Sequence, residues 1–159
     1  MAKKRRRAAT LSTGAKKQPR KRATLRPTMR AFLACEFVSS ERPVSKTTLV
    51  GLFDAINFES IPAAFKPFSL WVKLIGGSGG HAIELIARGT AGERVDLGAK
   101  LDIDLNASPQ PGAEITINVA PMVFQKPGTV AFVLLCDGTP IGWECEIKIV
   151  LVTEKDKKK

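Results

Sequence analysis

The sequence predicts an all-β protein: a single antiparallel immunoglobulin-like β-sandwich behind a disordered basic N-terminal arm. Three observations predict it. Short apolar or alternating runs recur through 31–152, Gly- and Pro-bearing corners separate them, and no stretch shows convincing helical spacing. The 159 residues suit one domain, large enough to need no disulfide or metal staple. The basic charge, finally, is concentrated at the ends. A closed barrel is the alternative architecture.

The formal net charge is +10, from 25 Lys and Arg against 15 Asp and Glu. Residues 1–30 hold 12 of the basic groups and no acidic one, and the closing "TEKDKKK" holds 4 basic and 2 acidic. The span 31–152 is left with 9 basic and 13 acidic groups, so the expected folded body is mildly acidic. Three parts follow: an arm over 1–30, a β domain over 31–152 and a charged tail over 153–159. A chain segment rich in one charge, with little to bury, stays solvated.

The runs read as strands in order. "AFLACEFV" (31–38) is apolar and bounded by "SSERP". "TTLVGLFDAINFE" (47–59) is read as one strand, with Gly51 at a bulge or close approach. "SIPAAFKPF" (60–68) has room for one helical turn between Pro62 and Pro67. "FSLWVKLI" (68–75) leads through the turn "GGSGG", read as a hairpin loop, to "HAIELIARG" (81–89). Beyond "ERVD", set between two Gly corners, "KLDIDLN" (100–106) alternates, with Leu101, Ile103 and Leu105 on its inner face. "EITINV" (114–119) does the same with Ile115, Ile117 and Val119. "TVAFVLLC" (129–136) is apolar on both faces, as a central strand is. "DGTPIG" turns the chain in a loop longer than two residues. "WECEIKIVLV" (143–152) then points Trp143, Cys145, Ile147, Ile149 and Leu151 inward.

The order of these motifs resembles a family of small uncharacterised bacterial proteins, a domain of unknown function regarded as β-sandwich-like. "LACEFV", "TTLVGLFDAINFESIPAAF", "GHAIEL" and "VFQKPGTVAFVLLCDGTPIG" carry the resemblance, which spans nearly all of 31–143. It implies a bacterial β body that starts near Met29, and it carries over no catalytic residue.

No enzyme chemistry is expected. His81 is the sole histidine; it lacks a nucleophile elbow and is read as a turn or strand-edge residue. Cys35, Cys136 and Cys145 form no Cys-x-x-Cys pair and are read as reduced core thiols, Cys136 and Cys145 facing each other across a hairpin. An odd, sparse cysteine count points to the cytoplasm. Asp102, Asp104 and Asn106 have the alternation of a calcium loop, but the sixth and twelfth positions are Ala107 and Ala113, so they are read as a solvent face. The glycines before His81 lack the Lys-Ser/Thr and helix of a phosphate loop. No metal and no cofactor is expected. There is no apolar run of membrane-spanning length and no signal-like apolar stretch near the start.

The arm supplies the candidate binding residues: Lys3, Lys4, Arg5, Arg6 and Arg7, then Lys16, Lys17, Arg20, Lys21 and Arg22. With no Tyr or Trp among them, contact with nucleic acid is expected to be to phosphates, non-specific and salt-sensitive. The edges or loops of the sandwich are expected to meet a protein partner or a second copy. Two other readings stay open: an assembly subunit whose arm contacts a neighbour's acidic body, and a true start at Met29 that removes the arm.

Overall fold

Every periodic run becomes extended chain in the computed structural model, which describes residues 24–41, 46–106 and 112–153. Twelve strands are formed, and the described residues include no helix. They are β1 (Thr28–Glu41), β2 (Lys46–Leu52), β3 (Ala55–Phe58), β4 (Ala63–Phe65), β5 (Phe68–Ile75) and β6 (Gly80–Arg88). Then come β7 (Arg94–Asp104), β8 (Gly112–Val119), β9 (Met122–Phe124), β10 (Gly128–Cys136), β11 (Thr139–Pro140) and β12 (Cys145–Leu151).

These strands form three sheets. One runs β2-β1-β5-β8; the second runs β3-β12-β10-β6-β7, with β11 beside β10; the third is the ribbon β4-β9. The first two share one apolar core. Phe32, Leu70, Val72, Leu74 and Ile115 contribute from the four-stranded sheet. Ile83, Leu85, Val130, Phe132, Leu134, Ile147 and Ile149 contribute from the larger one. Each set recurs at every second position, because successive side chains on a strand point to opposite faces. Phe132 and Phe68 meet edge-on at 5.9 Å across this core, and Phe53 and Phe65 extend the ring cluster.

β10 is central, and that explains its two apolar faces. Val130, Phe132, Leu134 and Cys136 enter the shared core, while Val133 and Leu135 join Ile86 in a small cluster on the outer face. The same outer face carries Glu84 and Arg88, which pair with Arg94 and Glu144 respectively. Long charged side chains of this kind can shield apolar neighbours while their heads stay in water.

The arrangement departs from the expected single, wholly antiparallel immunoglobulin-like sandwich. The run 47–59 is two strands in different sheets. The Phe53 N–H still donates to Ala34 O of β1, but Asp54 O already accepts from Lys148 N–H of β12. The chain therefore changes sheet between consecutive residues, and β3 lies parallel to β12. The expected helical turn in 60–68 is instead β4, paired with β9, so those backbone groups are satisfied by a ribbon. "GGSGG" joins strands of two different sheets and is not a hairpin loop. "ERVD" and "KLDIDLN" merge into β7, with a register shift opposite Leu85 and Ile86 that absorbs Gly98 at φ +64°. "Asp137-Gly138" closes a two-residue turn between Cys136 and Thr139, shorter than expected, with φ of 51° and 75° as a type I′ turn demands.

Other expectations shift at their margins. Trp143 and Leu151 are exposed because they flank the buried part of β12, and Leu101 is exposed on edge strand β7. Cys145 lies opposite Phe132, not Cys136, because β11 intervenes before β12 pairs with β10. β1 begins at Thr28, and Leu25 already pairs with Ser78, so the boundary drawn at 30/31 falls inside a strand. Gly51 is a close approach as expected: at φ +66°, an added Cβ would lie 2.5 Å from Glu36 Cγ. Across the four-stranded sheet, Thr47 Oγ1 donates to Glu114 Oε2 at 2.6 Å, linking its two edge strands, while Lys73 pairs with the other Glu114 oxygen.

Candidate site: a buried histidine at the root of the arm

The residue that the sequence reading placed on a turn or an edge is instead held inside the fold. His81 is the second residue of β6, and its side chain is 1% exposed. Period-2 alternation turns it inward with Ile83 and Leu85, toward the turn that follows β10. Its Nδ1 lies 2.8 Å from Asp137 Oδ2, and its Nε2 lies 3.0 Å from Leu25 O and 3.2 Å from Ser78 O. The type I′ turn aims Asp137 at this point. Its other carboxylate oxygen accepts the Ala82 N–H at 3.0 Å, and its own N–H donates to Ala82 O at 2.8 Å.

All these partners of the imidazole are acceptors. A neutral ring donates from one nitrogen only, so the other would set a lone pair against an oxygen. The arrangement favours the doubly protonated ring. The hydrogen bond to Asp137 accordingly holds the His81 pKa above the ordinary imidazole value, against the opposing effect of burial. The same bond, with help from the Ala82 N–H, holds the Asp137 carboxyl below the ordinary carboxylate value.

Cys136 precedes Asp137 and completes the cluster. Its Sγ is 3.8 Å from Asp137 Oδ2, and the ligand atoms of His81, Cys136 and Asp137 all lie within 4.8 Å of one another. Burial raises its thiol pKa, the Asp137 charge adds to that, and Arg26 opposes it. Arg26 is also fixed nearby, with Nη2 donating to Thr139 Oγ1 at 3.2 Å. The three thiols are buried and unpaired, as the sequence suggested. Burial pushes Cys145 up to about 11 and raises Cys35 too.

The cluster ties four segments together: the stretch leading into β1, the glycine crossover, β6 and the β10–β11 turn. The backbone bridge between Leu25 and Ser78 reinforces it, through N–H to O contacts of 3.1 and 2.8 Å in both directions. Sequence inspection missed it because His81 and Asp137 stand 56 residues apart. The available signal was "DG" after an apolar strand, which marks a turn whose Asp is free to bond elsewhere.

The remaining candidates fall differently. Lys3, Lys4, Arg5, Arg6, Arg7, Lys16, Lys17, Arg20, Lys21 and Arg22 lie outside the described residues. Asp102, Asp104 and Asn106 are exposed; Asp104 Oδ1 accepts the Asn106 N–H at 2.9 Å, a local turn contact. A cleft of about 420 Å³ opens where edge strands β7 and β8 leave the core uncovered, lined by Leu97, Ala99, Ile117 and Met122 among others. Among the described residues no helix is long and apolar enough to cross a membrane.

An all-β body with a buried histidine bonded to a partly exposed carboxylate is thus the class that fold and site define. The chain belongs to a family of unknown function (DUF6941), whose sequence pattern matches residues 30–150. That match bears out the resemblance found in the motifs. No curated protein matches the chain. Among solved structures it is similar to the Pseudomonas fluorescens alkylpurine DNA glycosylase AlkC bound to DNA containing an abasic site analog. The TM-score there is 0.44 at 12% identity, over 78% of this chain. The chain spans only 30% of that protein's length, and no functional reading rests on the likeness.

Proposed function

We propose that this protein is a non-catalytic binding module, and that its arm tethers it to nucleic-acid phosphates. One observation carries the reading. The ten clustered basic residues Lys3 to Arg22 all precede Leu25, and Leu25 is held against the body by Ser78 and His81. In the sequence, then, this charge precedes a mildly acidic body whose first described segment is fixed at Leu25. Catalysis is disfavoured by the same cluster: both ring nitrogens of His81 are engaged, and the thiols are buried. We read the two large sheets as a variant of the sandwich plan and the reduced thiols as those of a cytoplasmic protein.

The test is fluorescence anisotropy with a random-sequence duplex over a series of salt concentrations. Each phosphate neutralised contributes a slope of about −0.9 in log affinity against log salt. Ten arm charges therefore bound the slope at roughly −9. A chain lacking residues 1–23 should lose the binding. Binding that survives this deletion, or that ignores salt, refutes the tether.

The body's excess of acidic groups favours a second reading, in which the arm engages the acidic body of a neighbouring copy. Discrete oligomers after nuclease treatment, lost on removing the arm, would support it over the tether.

A further inference from the structure

The ion pair does not exhaust the chemistry of His81, Cys136 and Asp137. A proton between Nδ1 and Oδ2 serves two of the three groups and, among the described residues, leaves Cys136 Sγ with a long contact to Asp137. The three donors are an imidazole nitrogen, a thiol sulfur and a carboxylate oxygen. We propose that they form a binding site for a thiophilic divalent cation of the zinc type, with water in the fourth position. This is independent of the nucleic-acid reading.

The geometry is close to what such an ion needs. Zinc takes nitrogen and oxygen ligands at roughly 2.0–2.2 Å and thiolate at about 2.3 Å, which sets neighbouring ligand atoms of a tetrahedron roughly 3.3–3.6 Å apart. The Nδ1–Oδ2 distance of 2.8 Å and the Sγ–Oδ2 distance of 3.8 Å bracket that spacing, and the whole set, within 4.8 Å, needs only to draw together on binding. A small rotation of the Asp137 carboxylate opens the first of them. The rotation also loosens the Ala82 N–H contact to Oδ1, which the 40%-exposed side chain can exchange for water, and the same exposure supplies the entry path.

The outer contacts fit as well. A metal-bound histidine normally donates its other N–H to a backbone carbonyl or carboxylate, which fixes the tautomer. Here Nε2 faces the carbonyl oxygens of Leu25 and Ser78, leaving Nδ1 as the ligand. The balance of charge is also favourable. The ring and the thiol each release one proton to solvent, and thiolate, carboxylate and dication sum to zero. Sequence spacing could not disclose the site, since two ligands are adjacent and the third lies on another strand.

The experiment uses the full chain without an affinity tag, stripped with a chelator, dialysed, and titrated with Co²⁺ and then Zn²⁺. His81 is the only histidine, so any histidine ligation belongs to it. One Co²⁺ per chain should bind with a thiolate-to-cobalt charge-transfer absorption that Zn²⁺ abolishes. Cys136→Ser should remove that absorption, and Cys145→Ser should retain it, each variant being checked by its thermal melt. Asp137→Asn, which keeps the turn, should retain the absorption while weakening affinity at least about tenfold, the least that loss of an outer-shell partner costs. No saturable uptake by the folded chain overturns the proposal. So does absorption that persists in Cys136→Ser, or an affinity unchanged in Asp137→Asn.

Discussion

His81→Ala tests the reading of the buried cluster most directly. The substitution takes the donor from two carbonyl oxygens, Leu25 O and Ser78 O, and leaves a ring-sized space beside β6. Both carbonyls keep the opposing N–H of the Leu25–Ser78 bridge, so what is lost is the hydrogen bond to the ring and not the last partner of either oxygen, a cost of about 0.5–1.5 kcal/mol. The carboxylate side faces solvent, which replaces the lost partner there. Loss of ring packing brings the total to about 2–3 kcal/mol. At roughly 3 °C per kcal/mol for a domain of this size, the Tm should fall by roughly 6–9 °C.

The size of that loss does not distinguish a charged ring from a neutral one; its pH dependence does. The folded pKa of His81 is raised above 6.5, so the stability it adds is complete below 6.5 and is lost as pH rises through the folded value. Asp137 has the opposite sign: its folded pKa lies below 3.8, so its contribution is present above 3.8 and is lost as pH falls through that lower value. Between these limits the pair is intact. Thiols that ionise first in the unfolded chain also destabilise both proteins at higher pH; both are therefore compared in a Cys136→Ser background, since Cys136 contacts Asp137, and the terms of Cys35 and Cys145 cancel. The assay is thermal or urea unfolding from about pH 6 to about pH 8, with a chelator present so that only a proton can sit between the groups. The chain that keeps His81 should lose stability across this interval, and His81→Ala should be flatter. Equal pH slopes in the two proteins would refute the ionic pair.

Two further outcomes follow from packing and backbone geometry. Phe132→Ala should cost about 3–5 kcal/mol in urea unfolding, because the ring is 1% exposed in the central strand, whereas the 53%-exposed Trp143→Ala should stay within about 0.5 kcal/mol. Gly138→Ala meets no atom within 4 Å but must hold φ near 75°, so it should destabilise by about 1–2 kcal/mol, measurable as a lowered Tm with no change in the far-ultraviolet spectrum.

How much was legible in advance depends on the kind of information each feature needs. Strands β5, β8 and β10 were readable almost to the residue, because alternation, or its absence, reports how many faces of a strand are buried. The close approach at Gly51 was readable from its place inside an apolar run. Family membership was readable from the order of the motifs. What alternation cannot report is which strand lies alongside. The change of sheet at Phe53–Asp54 and the parallel β3–β12 pairing rest on hydrogen bonds between distant residues. The same holds for Cys145 facing Phe132 in place of Cys136. For the candidate site the division is sharper. The sequence by itself determined that a lone histidine follows a glycine-rich crossover and that Asp137 stands in a turn. Only the tertiary structure decided that they meet, because bringing two residues 56 apart to 2.8 Å requires β6 and β10 to pair in one register.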